Sequence, residues 1–377
     1  MSLQRRLLNV AAILAAATLA IGIAACGSSD DTSSDERSAA GSGASSSAGV
    51  EETPAFKKVL AAAREEGALN LNWGFSTPDA RPLIEAFEKR YPGIKITHTP
   101  NHDQPANASK LFEEAKAGKP SSTDAFVAVP QLLYTAGPRG ADVLEKVDWE
   151  SFAPWTKGLA TSDGVGLSIF DQYPTFVYNT SQFTEEELPN TAADVLKLKQ
   201  PIASTPYAAQ FNVLGASDAM GEQGLKDYVT AFKPAGFIGC GDLSRVASGE
   251  FAALWVGCGA NVTEIFAATG APLKNEVIQD VAVSYPWYGG VPKNSAHPNA
   301  AKVWIAWLNT PEAQKLLFEV EFADNRRIKG SQTAKQLTDY EAKGVKFTTA
   351  DYDFVAANQN IYSREFHHEL IGWLTKK

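Results

Sequence analysis

The chain has 377 residues, and its three cysteines carry its most distinctive chemistry. Cys26 ends a short apolar run near the N-terminus, whereas Cys240 and Cys258 lie in the second half of the chain. A cysteine thiol can be acylated, can be oxidised to a disulfide or, as a thiolate, can bind a metal ion. No Cys or His cluster has the spacing of a zinc site, and the pair His367-His368 is expected at the surface. The sequence therefore predicts no metal site, and acylation and disulfide formation remain for the thiols.

The segment before Cys26 resembles a bacterial lipoprotein signal. Arg5 and Arg6 give it a positive start, an apolar stretch runs from Leu7 to Ile23, and two alanines precede the cysteine. The resemblance implies that residues 1–25 are a signal peptide, that Cys26 is the acylated lipid anchor, and that the protein is exported. The alternative is an uncleaved transmembrane helix, because the apolar stretch is nearly long enough to span a bilayer. The small residues before the cysteine favour processing.

Residues 27–53 follow the cysteine and are mainly Gly, Ser, Ala, Asp and Glu, with no aromatic residue. Such a segment buries too little apolar surface to offset its conformational entropy, so residues 26–53 are predicted to be an acylated cysteine and a disordered tether. The whole chain carries 34 basic and 43 acidic residues, and residues 1–25 hold two of the basic ones, so the exported chain has a net charge of about −11. This acidic balance argues against nucleic acid or anionic lipid as a partner. Membrane contact is expected through the lipid anchor alone.

Cys240 and Cys258 remain once Cys26 is assigned to the lipid. They form an even pair in an oxidising compartment, which predicts a disulfide. The alternative is that they are two small, buried apolar residues that do not bond.

Residues 54–377 form a body too long for a single core of typical size, which predicts two lobes. Its sequence begins with an amphipathic helix over 54–66, a strand over 68–73, a helix over 78–90 and a strand over 94–97. Strand, helix and strand with short connections are typical of a parallel unit of an α/β sheet. The alternation continues with a helix over 110–117. The predicted fold class is therefore α/β.

Three segments carry a family resemblance. Residues 60–67 with 83–95, residues 246–250 before a strand, and residues 291–301 with 307–314 resemble the extracellular solute-binding proteins of ABC importers. The similarity is to family 1, the ferric-iron-like and polyamine-like group. It implies a two-lobed type II periplasmic-binding-protein fold with a cleft and two hinge crossover strands, at 166–179 and 281–291.

The same resemblance implies the division of the body. Lobe I is expected over 54–170 plus 291–323, and lobe II over 175–285. Residues 324–377 are expected to form C-terminal helices that pack across both lobes.

Ligands of open α/β sheets bind beyond the carboxyl ends of the strands, where helix N-termini offer free N–H groups. Each candidate could instead pack on its own lobe or cap a helix. The predicted aromatic and polar ligand-binding residues at these places are Phe75, Ser76, Gln131, Tyr173, Thr205, Tyr207, Asn261, Trp287 and Tyr288.

Ferric-binding members of the family place adjacent tyrosines after the strand that is expected here over 251–256. This chain has Gly257-Cys-Gly-Ala-Asn261 there, so no iron site of that kind is expected. The expected ligand is therefore a small organic solute, and the sequence does not decide whether that solute is anionic or cationic. An anionic group could pair with one of three arginines and a cationic group with one of two aspartates: Arg245, Arg326, Arg327, Asp171 and Asp242.

The expected function is that of a membrane-anchored extracytoplasmic solute-binding protein that serves an ABC permease, without a cofactor and as a monomer. A secreted lipid-anchored enzyme is a second hypothesis. The sequence contains no Gly-x-Ser-x-Gly elbow, no phosphate loop and no His-Glu-x-x-His helix, which disfavours it. A sensor that keeps the fold without transport is a third.

Overall fold

The computed structural model describes residues 50–73, 80–100 and 103–375, all within one compact unit. Cys26, Phe75 and Ser76, the signal peptide and nearly all of the tether lie outside the described residues. The described helices are α1 (Pro54–Glu66), α2 (Arg81–Arg90), α3 (Gln104–Lys116), α4 (Pro130–Ala136), α5 (Trp149–Phe152), α6 (Ala192–Val195), α7 (Ala208–Gly215), α8 (Gly221–Ala231), α9 (Ser244–Ala247), α10 (Ala260–Ala268), α11 (Pro298–Leu308), α12 (Pro311–Glu321), α13 (Gln332–Glu341), α14 (Tyr352–Ala357), α15 (Gln359–Tyr362) and α16 (Arg364–Thr375). The strands are β1 (Ala68–Trp73), β2 (Lys95–Pro100), β3 (Phe126–Ala128), β4 (Leu167–Gln172), β5 (Phe176–Asn179), β6 (Ile202–Ser204), β7 (Gly236–Phe237), β8 (Ala253–Leu254), β9 (Leu273–Glu276), β10 (Val283–Gly290) and β11 (Thr348–Thr349).

The first elements follow the sequence pattern. Thr53 caps α1, because its hydroxyl accepts a 3.0 Å hydrogen bond from the N–H of Phe56. Gly67 ends the helix at φ 69°, a left-handed conformation that glycine adopts without steric cost. Leu60 and Ala63 complete the buried face of α1. β1 then pairs in parallel with β2. The predicted parallel unit is confirmed.

The predicted helix over 110–117 begins earlier than expected, at Gln104. Asp103 explains the difference, because its Oδ1 accepts a 2.9 Å hydrogen bond from the N–H of Ala106 and Pro105 suits the first turn.

A core of large aromatic side chains surrounds β1. Trp304 of α11 packs edge-on against Trp73 at 5.9 Å and against Phe87 of α2 at 5.1 Å between ring centroids. Trp307 packs on the same Phe87 at 5.4 Å. Edge-to-face pairs of this kind stabilise a core beyond the area they bury. Here they pack α2 against α11 and α11 against β1.

The chain forms two larger sheets. One has the order β11-β10-β3, with β4 also paired to β10. The other has the order β7-β6-β8-β5-β9 and has its own buried cluster, in which Phe176 contacts Phe183 and Trp255. The two sheets and the separate clusters beneath them give the body a mixed α/β architecture.

The chain passes from one sheet to the other twice. β4 leads directly into β5, and β9 leads into β10. β4 and β10 pair antiparallel, with Gln172 opposite Tyr285 and Phe170 opposite Trp287. Every residue of both strands is buried. The two connections therefore run side by side through the middle of the molecule.

The C-terminal helices contact elements of both regions. α14 packs against α4, whereas α16 packs against α7 and α8. Arg326 fixes the segment that precedes these helices, because its guanidinium donates to the hydroxyls of Ser284 on β10 and Thr349 on β11. Its backbone N–H donates to Asp171 at the end of β4. Two crossing strands are thus bound to one C-terminal loop.

Candidate ligand-binding cleft

A cavity of about 250 Å³ opens where the two crossing strands meet helices from both sheets. The ends of β4 and β10 form its floor, and the first turns of α3, α4 and α7 reach it from opposite sides. α15 and α16 contribute one part of its wall, and the segments that hold Cys240 and Cys258 contribute another. The residues that line it include Asp103, Gln104, Val129, Pro130, Gln131, Gln172, Tyr207, Ala209, Gln210, Val213, Cys240, Cys258, Val262, Tyr285, Trp287, Tyr362 and His367. Its volume suits a small molecule.

The floor of the cavity is a hydrogen-bonded group of side chains. Oε1 of Gln172 accepts from the indole N–H of Trp287 at 2.7 Å and from the hydroxyl of Tyr285 at 3.2 Å. Nε2 of Gln172 donates to Oδ1 of Asn261 at 2.7 Å, and Asn261 donates to the carbonyl of Glu321 at 3.0 Å. Burial raises the pKa of the Tyr285 hydroxyl, so it stays protonated. Two aromatic side chains therefore line the floor, and their polar atoms are bonded to Gln172.

Gln131 and His367 form a polar group on the wall of the cavity. Nε2 of Gln131 donates to the carbonyl of Tyr362 at 2.9 Å and to Nε2 of His367 at 3.3 Å. Burial, with a smaller contribution from neighbouring His368, lowers the pKa of His367 to about 4. The imidazole is therefore neutral at physiological pH. The surface position that the sequence suggested for His367 is wrong, because α16 turns this residue towards the cavity.

A disulfide joins Cys240 to Cys258, with 5.6 Å between the Cα atoms, and both residues line the cavity. The predicted pairing is confirmed. Cys240 lies just after β7, and Cys258 lies two residues before α10. The bond therefore ties together two loops at the edge of the second sheet.

Three of the predicted ligand-binding residues line the cavity, namely Gln131, Tyr207 and Trp287. Tyr288 lies elsewhere, and its ring packs against Tyr352. Because successive side chains of a strand point to opposite faces, Trp287 and Tyr288 cannot both face the cavity unless the strand is irregular. The bulge that follows Trp287 does not bring Tyr288 into it.

Tyr173, Thr205 and Asn261, which were also predicted to bind ligand, lie away from the cavity lining. The ring of Tyr173 packs against Tyr340 and Phe347, and its hydroxyl donates to Gln336 at 3.2 Å. Asn261 supports Gln172 from behind the floor. Thr205 is fully buried, and its hydroxyl has no hydrogen-bond partner. None of the three is among the residues that line the cavity.

The candidate charge partners lie outside the cavity lining. Arg326 lies 3.7 Å from Asp171, which is buried so fully that its pKa is raised. Arg245 pairs with Glu250, and Arg327 lies 3.9 Å from Asp351. These pairs are structural. Unlike the other candidate charge partners, Asp242 lies close to the cavity, beside the lining residue Tyr207.

Several cavity residues were not among the predicted ligand-binding residues. Tyr285 lies two positions before Trp287 on the same strand, so strand alternation could have placed it on the same face. Gln104 and Gln210 lie in the first turns of helices that reach the cavity. Tyr362 and His367 come from the C-terminal helices, and no sequence pattern pointed to them.

Among the residues that the structure describes, no group of three or more His, Cys, Asp or Glu side chains could hold a metal ion. No helix within those same ranges is long and apolar enough to cross a membrane.

A family model described as bacterial extracellular solute-binding protein matches residues 82–342. No curated protein matches the chain.

Solved structures of the same architecture are similar over most of the chain. A substrate-binding protein of an ABC transporter from Agrobacterium tumefaciens has a TM-score of 0.67 and 18% identity, and the match covers 81% of this chain and 93% of that one. A putative spermidine/putrescine ABC transporter protein from Listeria monocytogenes has a TM-score of 0.60 and 16% identity, covering 82% and 100%. Iron-bound HitA from Pseudomonas aeruginosa has a TM-score of 0.56 and 20% identity, covering 70% and 88%. The predicted two-lobed periplasmic-binding-protein fold is confirmed by these likenesses.

Proposed function

Because the chain belongs to the bacterial extracellular solute-binding proteins of ABC transporters, we propose that it captures a small organic solute in the cavity between its two sheets. It then delivers the solute to an ABC permease. Proteins of this family bind small solutes and act with permeases, and the family is extracytoplasmic. We propose three things beyond the family: that this cavity is the binding site, that the solute is organic, and that the solute is delivered to a permease.

The observation that carries this proposal is the floor of the cavity. The aromatic side chains of Trp287 and Tyr285 line the cavity at the place where β4 and β10 pass between the sheets. A molecule that stacks on this floor also contacts α4 from one side and α7 from the other. It would therefore favour the conformation in which both sides are close together, and a permease can recognise that conformation.

We place the lobes as the family resemblance suggests. Lobe I comprises residues 54–170 plus 291–323, lobe II comprises 175–285, and residues 324–377 pack across both. The separate buried clusters under the two larger sheets support this division, as do the contacts of α14 with α4 and of α16 with α7.

The lipid anchor at Cys26 is also part of the proposal. Its support is the lipoprotein-like signal in the sequence and the extracytoplasmic location of the family. An anchored protein with a long tether keeps the solute near the permease while the lobes open and close freely.

We propose no catalytic role. The family consists of solute-binding proteins, and the cavity favours retention of a ligand over its chemical conversion. Its tyrosines have pKa values raised by burial and its histidine is neutral at physiological pH, so none of these groups titrates near neutrality.

Native mass spectrometry of the full chain purified from its own host tests the proposal. We expect a co-purified small organic solute that is absent from the Trp287→Ala variant. Deletion of the gene should lower uptake of that same solute. A chain that carries no solute and whose loss changes the uptake of none in a metabolite panel would contradict the proposal.

A further inference from the structure

We propose that the disulfide between Cys240 and Cys258 is a thiol-controlled switch of the cavity. A dithiol reductant opens the bond while the protein stays folded, the turn 239–242 is released, and the cavity binds its solute more weakly. The release of the turn goes beyond the proposed function, whereas the weaker binding rests on it. Three features of the bond support this role: the access to it, the unequal anchorage of its two ends, and the contact of the turn with the cavity wall.

The bond is accessible from the cavity. Cys240 and Cys258 both line it, so a small thiol can reach the bond through the same opening that admits a solute. Cys240 is only partly buried, whereas Cys258 is 8% exposed. The neighbouring Gly241 faces open space, because a Cβ added there would meet no atom within 4 Å. Sγ of Cys240 is therefore the accessible point of attack.

The Cys240 end depends on the disulfide for its attachment. It lies in the short turn 239–242 that follows β7, and β7 is the edge strand of its sheet. The turn closes on itself, since the N–H of Gly239 donates to Oδ2 of Asp242 and the N–H of Asp242 donates to the carbonyl of Gly239, both at 3.0 Å. Among the described residues, Cys240 makes no hydrogen bond outside this turn. The disulfide is thus its bonded link to another element.

The Cys258 end is held firmly by its neighbours. The N–H of Gly257 donates to the carbonyl of Thr175 at 3.0 Å, and the N–H of Ala260 donates to the carbonyl of Tyr173 at 3.1 Å. Both acceptors lie in the connection between β4 and β5. Opening of the bond therefore leaves this end in place and frees the other one.

The release is confined to the turn, because buried side chains fix the chain on both sides of it. Ile238 before the turn is 2% exposed, and its N–H donates to the carbonyl of Ser204 at 2.9 Å. Leu243 after the turn is 1% exposed. Both belong to one buried cluster, which also includes Leu254 of β8. The sheet and its core therefore keep their packing when the bond is open.

The turn supports the wall of the cavity. A Cβ on Gly239 would meet Oδ2 of Asp242 and the hydroxyl of Tyr207, each at 3.2 Å, so the turn lies directly against this phenol. Tyr207 lines the cavity and immediately precedes α7, whose first turn also reaches it. Once the bond is open, this segment must be ordered again whenever a solute binds. The conformational entropy that is lost in ordering it lowers the affinity.

The chemical step is thiol–disulfide exchange. A thiolate of the dithiol attacks Sγ of Cys240, the bond between the two protein sulfur atoms breaks, and Cys258 leaves as a thiolate that takes up a proton. The second thiol of the reductant then attacks the mixed disulfide, which releases Cys240 as a thiol and the reductant as a cyclic disulfide. Two electrons and two protons thus pass from the dithiol to the protein. Cys258 directly precedes Gly259, the N-cap of α10, and the partial positive charge of a helix N-terminus stabilises a departing thiolate.

The test treats the folded full chain, purified in detergent, with dithiothreitol in the absence of denaturant. Alkylation and mass spectrometry of the peptides that hold Cys240 and Cys258 measure opening of the bond, and hydrogen exchange of the reduced chain measures its structural effect. We expect both cysteines to become alkylated and amide exchange of residues 239–242 to rise about tenfold or more. Exchange in β5 and β8 should stay unchanged.

Two variants serve as controls. Cys240→Ala/Cys258→Ala should show the fast exchange of residues 239–242 without any reductant, and dithiothreitol should change it no further. Gly241→Ala adds a methyl group in open space beside the bond and keeps both sulfur atoms, so it should respond to dithiothreitol like the parent.

The solute that co-purifies with the chain measures the effect on binding. Reduction should lower its affinity by about fivefold or more, followed as the amount retained in native mass spectrometry. Linkage requires the reciprocal effect. A saturating solute should raise the ratio of reduced to oxidised dithiothreitol at half reduction by the same factor.

Three results would each overturn the inference: cysteines that stay unreactive until denaturant is added, exchange that rises in β5 and β8 as well as in the turn, or a reduced chain that binds its solute with unchanged affinity. The proposed function stands in each of these cases if Trp287→Ala still loses the solute. A chain that carries no solute at all would overturn the proposed function and the binding part of the switch. The alkylation and exchange results alone would then decide whether the turn is released.

Discussion

The indole N–H of Trp287 donates a 2.7 Å hydrogen bond to Oε1 of Gln172, and this bond joins the two strands that cross between the sheets. The same oxygen accepts from the hydroxyl of Tyr285, and the amide nitrogen of Gln172 donates to Asn261 at the start of α10. One carboxamide therefore fixes the floor of the cavity and the helix beside it.

Replacement of Gln172 by Leu should destabilise the fold. It removes one partner from each of three buried polar groups, and each unsatisfied buried group costs about 1–3 kcal/mol. The free energy of unfolding, measured with urea, should fall by at least 2 kcal/mol, a rough figure that allows for partial rearrangement. Gln332→Leu on the exposed start of α13 is the matched control and should change stability by about 0.5 kcal/mol or less. Equal stability of the two variants would show that the floor does not depend on Gln172.

Trp287→Ala should weaken binding of the co-purified solute by about tenfold or more, because it removes the largest ring of the floor. Trp287→Phe keeps an aromatic face and should lose less. Isothermal titration measures both. Tyr173→Ala serves as the comparison, since this residue packs against Tyr340 and Phe347 away from the cavity lining. It should lower the melting temperature without changing affinity, and a loss of affinity comparable to that of Trp287→Ala would mean that the solute lies elsewhere.

Loss of the disulfide should reduce both stability and affinity. Cys240 and Cys258 close a loop with a sequence separation of 18, and such a crosslink stabilises a fold by about 3 kcal/mol in the chain-entropy model. The double variant Cys240→Ser/Cys258→Ser should melt at a lower temperature and bind the solute more weakly, because both residues line the cavity. Cys26→Ser leaves this crosslink intact and should behave like the parent in detergent. Two free thiols in the denatured, unreduced Cys26→Ser protein would refute the bond.

Stability should fall as pH drops below 6.5 because of His367. Burial lowers its folded-state pKa from 6.5 to about 4, so the fold favours the neutral imidazole. The stabilisation that comes from neutral His367 is fully present above the pKa of the unfolded state, 6.5. It is lost as pH falls towards the pKa of the folded state, about 4. Between pH 7 and pH 5 this should cost about 2 kcal/mol of unfolding free energy.

Urea unfolding at the two pH values measures the effect. His367→Gln should remove this part of the pH dependence, whereas His368→Gln on the exposed side of α16 should retain it. An identical pH dependence in all three proteins would exclude His367 as its source.

Local sequence patterns were sufficient for the elements at the start of the body. The caps of α1 at Thr53 and Gly67 and its apolar face follow directly from residue type and spacing. The same is true of the parallel pairing of β1 with β2. The disulfide could be predicted because only two cysteines remain once Cys26 is assigned to the lipid anchor.

The cavity lining was predicted only where a loop or strand end carried a distinctive side chain. Trp287, Tyr207 and Gln131 were found in this way. Tyr173 and Tyr288 were equally plausible by type, yet their rings pack into neighbouring clusters. The direction of a side chain on a crossing strand depends on register and on the bulge after Trp287, which long-range pairing with β4 decides.

The α/β class and the first helix and strands could be predicted from the sequence because they depend on local periodicity, capping and composition, and the family could be predicted from the resemblance of three segments. The hydrogen bonds that join Gln172 to Trp287 and Tyr285, and the positions of Tyr362 and His367 at the cavity, became visible only in the folded chain. These residues come from segments far apart in the chain. Their meeting results from the packing of whole elements, and no short-range pattern encodes it.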